Sequence, residues 1–445
     1  MIVKIRQLGT ALLLLSAMLS LARSQSVTLP IQRPLNSSGT APYYPVQLDQ
    51  AYGLTALSAS GAGQTIAIID AFNYPNALSA FNTFNTSCGL PQFDQPGGPT
   101  FTQLNESGGT ALPGTDPAGA GNANGNWEAE EALDVEWAHA MAPNANIILY
   151  EATNNDSDGL PHLENAIATA AANPAVSVVS MSWGSSEYSG ETDNDSLFTT
   201  PANRLAANPK QGVTFVAAAG DSGAPGQYPA FSPNVVAVGG TALSLTVANA
   251  WRVETAWYDG GGGTSTQESK PSYQTSYGTL NGGILGSTTS RALPDVALDA
   301  DPSLGVWTYD PYNGYSIVGS SPGWSEWGGT SLSAPCWAGL IADADGMRSA
   351  EGYGTLDGLS QTLPALYCLP SSDFHDITTG NNGFAAGPGY DLATGLGTPI
   401  ANVLVPDLAN YQVAPEPSTL ALLAVAGLTA LGSALVRKRL ARPRR

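Results

Sequence analysis

The chain has 445 residues, 43% of them apolar, with 50 Gly and 32 Pro. That is too apolar for wholesale disorder and too rich in turn residues for a helical bundle. Acidic residues number 36 against 16 Lys and Arg, and the cations crowd the two ends, so residues 25–436 hold every acid and only seven cations; such a body repels nucleic acid and anionic membrane at neutral pH and suits an acidic medium.

Residues 1–24 carry the pattern of a secretory signal: Lys4 and Arg6, an apolar run over 8–21, then Ala22-Arg23-Ser24 as a small-x-small cleavage site. Residues 25–43 read as a short leader. Continuous apolar, β-branched runs at 65–70, 145–150, 176–181, 213–219 and 235–238 predict strands covered on both faces. Helices are predicted between them at 128–140 and 163–172. This alternation predicts an α/β fold with a mostly parallel sheet and right-handed crossovers. Segments 108–126, 260–270 and 378–389 read as loops, and no linker or internal repeat divides 44–411, which is taken as one domain. Beyond it, residues 412–445 hold Pro415-Glu416-Pro417, an uncharged apolar stretch at 418–436 long enough to cross a bilayer, and a basic tail from Arg437 predicted to stay cytoplasmic. The cysteines are Cys88, Cys336 and Cys368. No Cys-x-x-Cys or His/Cys cluster accompanies them, so no zinc site is expected, and the odd count leaves at least one thiol free.

The chemistry concentrates in three places. Gly328-Gly-Thr-Ser331-Leu-Ser-Ala-Pro335 leads into an apolar helical run, which presents Ser331 at a helix N-terminus where orphan amides favour a developing oxyanion. Pro335 is expected in the first turn, where it is tolerated. A serine nucleophile needs a base, and none of His139, His162 and His375 sits in a suitable context; a surface or satisfied polar role is expected for His139. On the helix at 128–140, Glu130 and Asp134 are spaced i, i+4 and share a face. Brought together away from water, such a pair titrates as a unit and can act as a base at acidic pH; Glu128 and Glu131 compete for the role, and a solvated acidic face would give the same pattern. Asp221, in Ala219-Gly-Asp-Ser-Gly223 at the end of the strand at 213–219, can donate a hydrogen bond to an oxyanion if it stays protonated, or can simply cap a turn.

In this order, Glu-x-x-x-Asp, Gly-Asp-Ser-Gly and Gly-Thr-Ser-x-Ser-Ala-Pro resemble the sedolisin family of serine-carboxyl peptidases, over about residues 44–408. The resemblance implies a subtilisin-like three-layer fold with helices on both faces of the sheet. It implies Ser331 as nucleophile, Glu130 as general base, Asp134 orienting Glu130, and Asp221 in the oxyanion hole. Trp183 would line the substrate cleft, or else belong to the core. Asp70, at the end of a buried strand, would back Glu130 or hold a turn. Asp376-Ile377 and Gly387-Pro-Gly389-Tyr-Asp391 look like the family's calcium loop. One Ca2+ would be bound by the Asp376 and Asp391 carboxylates and the carbonyls of Ile377, Gly387 and Gly389. The C-terminal segment resembles a PEP-CTERM sorting signal, which implies an exosortase as partner, anchoring in the inner membrane by the helix at 418–436 before processing, and an extracellular or cell-surface destination. Protein or peptide substrates follow from the same resemblance. The family's large N-terminal prodomain finds no counterpart before residue 44, which keeps a catalytically inactive surface or matrix binding protein as the alternative.

Overall fold

The computed structural model describes residues 42–122, 126–208, 210–315 and 322–412. The expected signal at 1–24, all of the leader but its last two residues, and the expected membrane-spanning and basic segments therefore lie outside the described residues. In chain order the body runs α1 (Pro45–Tyr52), β1 (Thr65–Ala71), α2 (Ala77–Cys88), β2 (Phe101–Asn105), α3 (Trp127–Met141), β3 (Asn146–Ala152), α4 (His162–Ala172), β4 (Val178–Met181), α5 (Ala202–Ala207), β5 (Thr214–Ala218), β6 (Val235–Leu245) and β7 (Trp251–Ala256). It continues with β8 (Gly263–Ser269), α6 (Ser272–Asn281), α7 (Gly283–Ser287), β9 (Ser290–Leu293), β10 (Val296–Asp299), β11 (Val306–Tyr309), β12 (Trp324–Trp327) and α8 (Thr330–Ala350).

The main sheet has the order β10-β6-β5-β4-β1-β3-β2. Every pairing along it is parallel, and β7 is added antiparallel to β6. The five predicted strands are β1, β3, β4, β5 and β6, and the two predicted helices are α3 and α4. Continuous apolar runs were the right signal because both faces of these strands are covered: β1, β4 and β5 are buried at every position. Two elements had no such signal. β2 is a polar edge strand with only Phe101 buried, and the expected loop at 260–270 is largely β8, a polar strand that pairs with β9 in a separate ribbon.

Alternation along β1 sends Ala67, Ile69 and Ala71 into a core shared with Leu163, Ala166 and Ile167 of α4. Ile66, Ile68 and Asp70 point to the other face, where α3 and α8 lie against β1 and α8 continues under β4, β5, β6 and β10. The two helices approach closely at Gly339, where a Cβ would stand 2.5 Å from that of Met141. This crossing sets the middle of α8 against the C-terminal end of α3.

Beneath β6 and β10, Arg291 donates two 2.6 Å hydrogen bonds to Asp295, with both side chains fully buried. Tyr367 and the Ala237 amide also donate to Asp295. Asp295 is thus the acidic half of a buried ion pair. All three cysteines are free thiols, Cys336 buried and Cys368 exposed.

Candidate active site

The parallel strands β5, β4 and β1 end side by side, and each brings a candidate residue to this edge: Asp221 after β5, Ser182 and Trp183 after β4, and Asp70 at the end of β1. Ligand sites of parallel α/β sheets form at this carboxyl edge. α3 and α8 bring the remaining groups to it.

α3 starts at Asn126, whose side chain accepts a hydrogen bond from the Ala129 amide at 3.0 Å, a regular N-cap. All fifteen of its residues are buried, so the solvated acidic face allowed by the sequence does not exist. Glu130 and Asp134 lie one turn apart with no solvent exposure. α8 starts after Gly329, whose φ of +98° is open to glycine alone. Pro335 is the sixth residue of this helix, not a member of its first turn as expected. Its missing N–H leaves the Ser331 carbonyl without an i+4 donor, and the Ser182 hydroxyl donates to that oxygen at 3.4 Å. The proline thus opens a place where β4's extension is tied to the Ser331 segment.

Ser331 is fully buried, and its Oγ donates to the carbonyl oxygen of Ser182 at 3.5 Å. The same hydroxyl is near enough to Glu130 to favour its ionised form. Burial nevertheless holds the Glu130 carboxyl well above its ordinary range, and the charges of Asp134 and Asp70 push it further up. Asp134 is raised by burial and by Asp70, and the neighbouring Ser182 and Glu130 pull it partly back down, although neither Asp134 oxygen makes a hydrogen bond. Asp70 is raised by burial and by Glu151, its register neighbour on β3. Glu130, Asp134 and Asp70 are therefore three buried carboxyls whose charges act on one another, so their protonation is linked. Of the competing candidates, Glu128 accepts a 2.9 Å hydrogen bond from the Asp116 amide. Glu131 faces Glu151, Asp70, Glu128 and Asp310. Of the three glutamates, Glu130 is the one whose ionisation the Ser331 hydroxyl favours, although the hydrogen bond of that hydroxyl goes to the Ser182 carbonyl and both Glu130 oxygens lack one.

On the other side of Ser331, Asp221 Oδ1 accepts hydrogen bonds from the Thr330 amide at 2.8 Å and the Thr330 hydroxyl at 2.7 Å. Burial raises its carboxyl well above the usual range against these two donors. Trp183 is 5% exposed, donates from Nε1 to the Ile69 carbonyl at 2.8 Å and joins the α4-side core. The structure thus puts the indole under the edge, against a small pocket shared with Tyr188, Phe198 and Tyr228. His139 is buried, donates from Nε2 to the Pro91 carbonyl at 2.8 Å and packs in a tilted contact on Phe93. Burial drops its pKa to about 4, which makes it a neutral interior residue and not a surface one, its Nδ1 without a hydrogen-bond partner.

Asp376 and Asp391 converge on the 387–391 loop. The Gly389 amide donates to both Asp376 oxygens at 3.1 Å, and the Gly387 amide to Asp391 Oδ2 at 2.8 Å. Among the described residues the carbonyls of Ile377, Gly387 and Gly389 accept no hydrogen bond, and no cationic side chain pairs with either aspartate. Two carboxylates and three open carbonyls are a donor set that suits a hard cation such as calcium.

The fold and this edge define a subtilisin-like α/β protein in which carboxylates stand where an imidazole would be sought. The chain belongs to the subtilase family, whose profile matches residues 107–348. It is 36% identical over 406 residues to kumamolisin from Bacillus sp. (strain MN-32), covering 84% of this chain and 66% of that protein. To sedolisin from Pseudomonas sp. (strain 101) it is 29% identical over 372 residues, covering 74% and 58%. Among solved structures it is similar to Pseudomonas sedolisin, a serine-carboxyl proteinase complexed with two molecules of pseudo-iodotyrostatin. That match has a TM-score of 0.63 and 26% identity and covers 82% of this chain and 97% of the other. The chain thus spans between about half and two thirds of the length of the curated relatives it matches. These similarities support the sedolisin group within the family.

Proposed function

We propose that this chain is an exported serine-carboxyl endopeptidase that hydrolyses peptide bonds at acidic pH. The observation that carries the reading is the placement of the Ser331 hydroxyl at the start of α8, beside a buried Glu130 with Asp134 one turn behind it.

In this mechanism Ser331 Oγ attacks the peptide carbonyl while Glu130 takes its proton. Asp134 shares the proton load of Glu130 and keeps it oriented. Protonated Asp221 donates to the oxyanion of the tetrahedral intermediate. Glu130 then returns the proton to the leaving amine, and water releases the acyl group by the reverse sequence. Trp183 supports the floor under Ser182 on the substrate side. Because Asp221 acts only while protonated, hydrolysis declines as pH rises through its titration.

The test is cleavage of an unfolded protein between about pH 3 and pH 8, a range that brackets carboxyl titration. Activity on the acid side, reduced on the order of 10⁶-fold in Ser331→Ala, is the expected result. Equal cleavage by the folded mutant would overturn the reading.

The Asp376, Asp391, Ile377, Gly387 and Gly389 oxygens would hold one Ca2+, which would tie the 387–391 loop to β13 (Phe374–His375) and its surroundings. A chelator is expected to lower the unfolding midpoint of the wild type, with recovery on adding Ca2+ and no response in Asp391→Ala. An identical midpoint with and without chelator in the wild type counts against the site.

Export follows from the signal at 1–24. The PEP-CTERM segment at 412–445 would hold the body at the inner membrane through 418–436 until an exosortase removes it. Among the described residues no helix is long and apolar enough to cross a membrane.

A further inference from the structure

Thr330, the residue before the nucleophile, is more than a spacer. Its side chain is fully buried. Its hydroxyl accepts a hydrogen bond from the Gly220 amide at 3.1 Å, so its own proton is committed to Asp221 Oδ1 at 2.7 Å. Its amide donates to that same oxygen at 2.8 Å. Its methyl lies over Gly240, where a Cβ would come within 3.4 Å of Thr330 Cγ2. The rotamer is therefore fixed from three sides by β6 and the turn after β5.

An oxygen that already accepts two donors is a poor place for a proton. We propose that Thr330 is the positioning residue of the oxyanion site: by saturating Oδ1 it assigns the acidic proton of Asp221 to Oδ2 and limits how far up in pH that proton is kept. The inference rests on the reading of Asp221 as an oxyanion donor given above.

The sign follows from the groups around Asp221. Burial raises its pKa, and the nearby charge of Asp259 raises it further. Asp259 in turn faces Tyr258 and Asp301. Across the site, Glu130 and Asp221 also repel one another when both are ionised. The Thr330 donors are what stabilise the Asp221 carboxylate against all of these. Removing the hydroxyl therefore raises the Asp221 pKa. It also leaves Oδ1 with the Thr330 amide as its one donor from this residue, which weakens the preference for a proton on Oδ2.

The experiment is the pH profile of kcat/KM on a peptide substrate for four proteins. Thr330→Val is expected to lose about tenfold at the plateau, as one charge-assisted hydrogen bond implies. Its alkaline midpoint should move upward, by on the order of one pH unit. Thr330→Ser, which keeps the hydroxyl, should restore both. Asp221→Asn cannot ionise and should have no alkaline limb of this origin. A lowered rate in Thr330→Val with an unmoved or lowered alkaline midpoint overturns the inference, because loss of packing alone would produce that result. Should the valine variant fail to fold through its unpaired Gly220 amide, Thr330→Ala admits a water there and carries the same readout. If Asp221→Asn keeps the wild-type alkaline limb, then Asp221 is not the group that titrates and the oxyanion reading fails with it. If Asp221→Asn loses the limb and the Thr330 variants do not shift it, the Thr330 inference alone fails.

Discussion

Glu130→Gln is expected to reduce kcat/KM by a factor on the order of 10⁴, and adding it to Ser331→Ala should produce almost no further loss. The substitution keeps the size and shape of the side chain, so the buried helix that carries it stays packed. What it removes is the carboxylate proposed to accept the Ser331 proton, whose ionised form the Ser331 hydroxyl favours. No histidine can substitute: His139 is buried against Pro91 and Phe93, His162 lies between Glu106 and Asp158, and His375 stacks on Trp251. Asp134→Asn should cost less, because it removes the partner that shares the proton and not the acceptor itself. Its distinctive effect is on the acid limb of the profile. In the wild type that limb belongs to the whole Glu130/Asp134/Asp70 group. With Asp134 neutral, Glu130 loses the largest like charge acting on it. Its pKa then falls and the acid limb moves to lower pH. Two single mutants whose losses multiply in the Ser331/Glu130 double mutant would show that Glu130 acts through something other than the nucleophile.

The sequence held much of this arrangement because the fold is built on strands buried on both faces, whose apolar runs are continuous and hard to mistake. The order of the parallel strands then dictates that Asp70, Ser182 and Asp221 emerge along one edge. The Glu130/Asp134 spacing was legible as a shared face, but the sequence left that face open to solvent or interior. The decision came from α8, which packs over α3 at Gly339, a contact between residues two hundred positions apart. Pro335 was misplaced because the helix begins at Thr330, one residue before the nucleophile. Thr330 itself, an ordinary capping residue by type, gave no sign of its link to Asp221; only the juxtaposition of the turn after β5 with the start of α8 creates it. The acidic excess was read as a surface property, and that was incomplete. Glu128, Glu131, Glu136, Asp299 and Asp345 are buried charges in waiting, and composition carries no information on which acids are inside.

Those interior acids lead to a second large effect: the folded body should be most stable near pH 4 to 5 and should weaken steadily toward pH 8. Burial raises Asp49, Glu128, Glu151 and Glu326 to about 7 and Asp156, Glu191 and Glu268 to about 8. Like-charged neighbours contribute at several of them: Glu164 faces Asp156, Glu187 and Asp195 face Glu191, and Asp195 faces Glu268. Each carboxyl is protonated more readily folded than unfolded. The folded chain thus keeps protons that the unfolded chain releases above about pH 4. The stability these groups contribute is fully present below that pH and is lost as pH rises through 7 and 8. Each retained proton is worth about 1.4 kcal/mol per pH unit. His139 opposes the trend: lowered to about 4, it favours the folded state at higher pH, but it is one group against many. The thermal midpoint is expected to be at least about 10 °C higher at pH 4.5 than at pH 8. Glu131→Gln isolates the cause. Both Glu131 oxygens are buried without a hydrogen bond, and burial with Glu151 and Asp70 close by raises its carboxyl well above the ordinary range. An amide there has no charge to release, so the variant should gain several degrees at pH 8 and little or nothing at pH 4.5. A midpoint that climbs with pH in the wild type, or a Glu131→Gln gain equal at both pH values, would show that the interior carboxyls do not set this dependence.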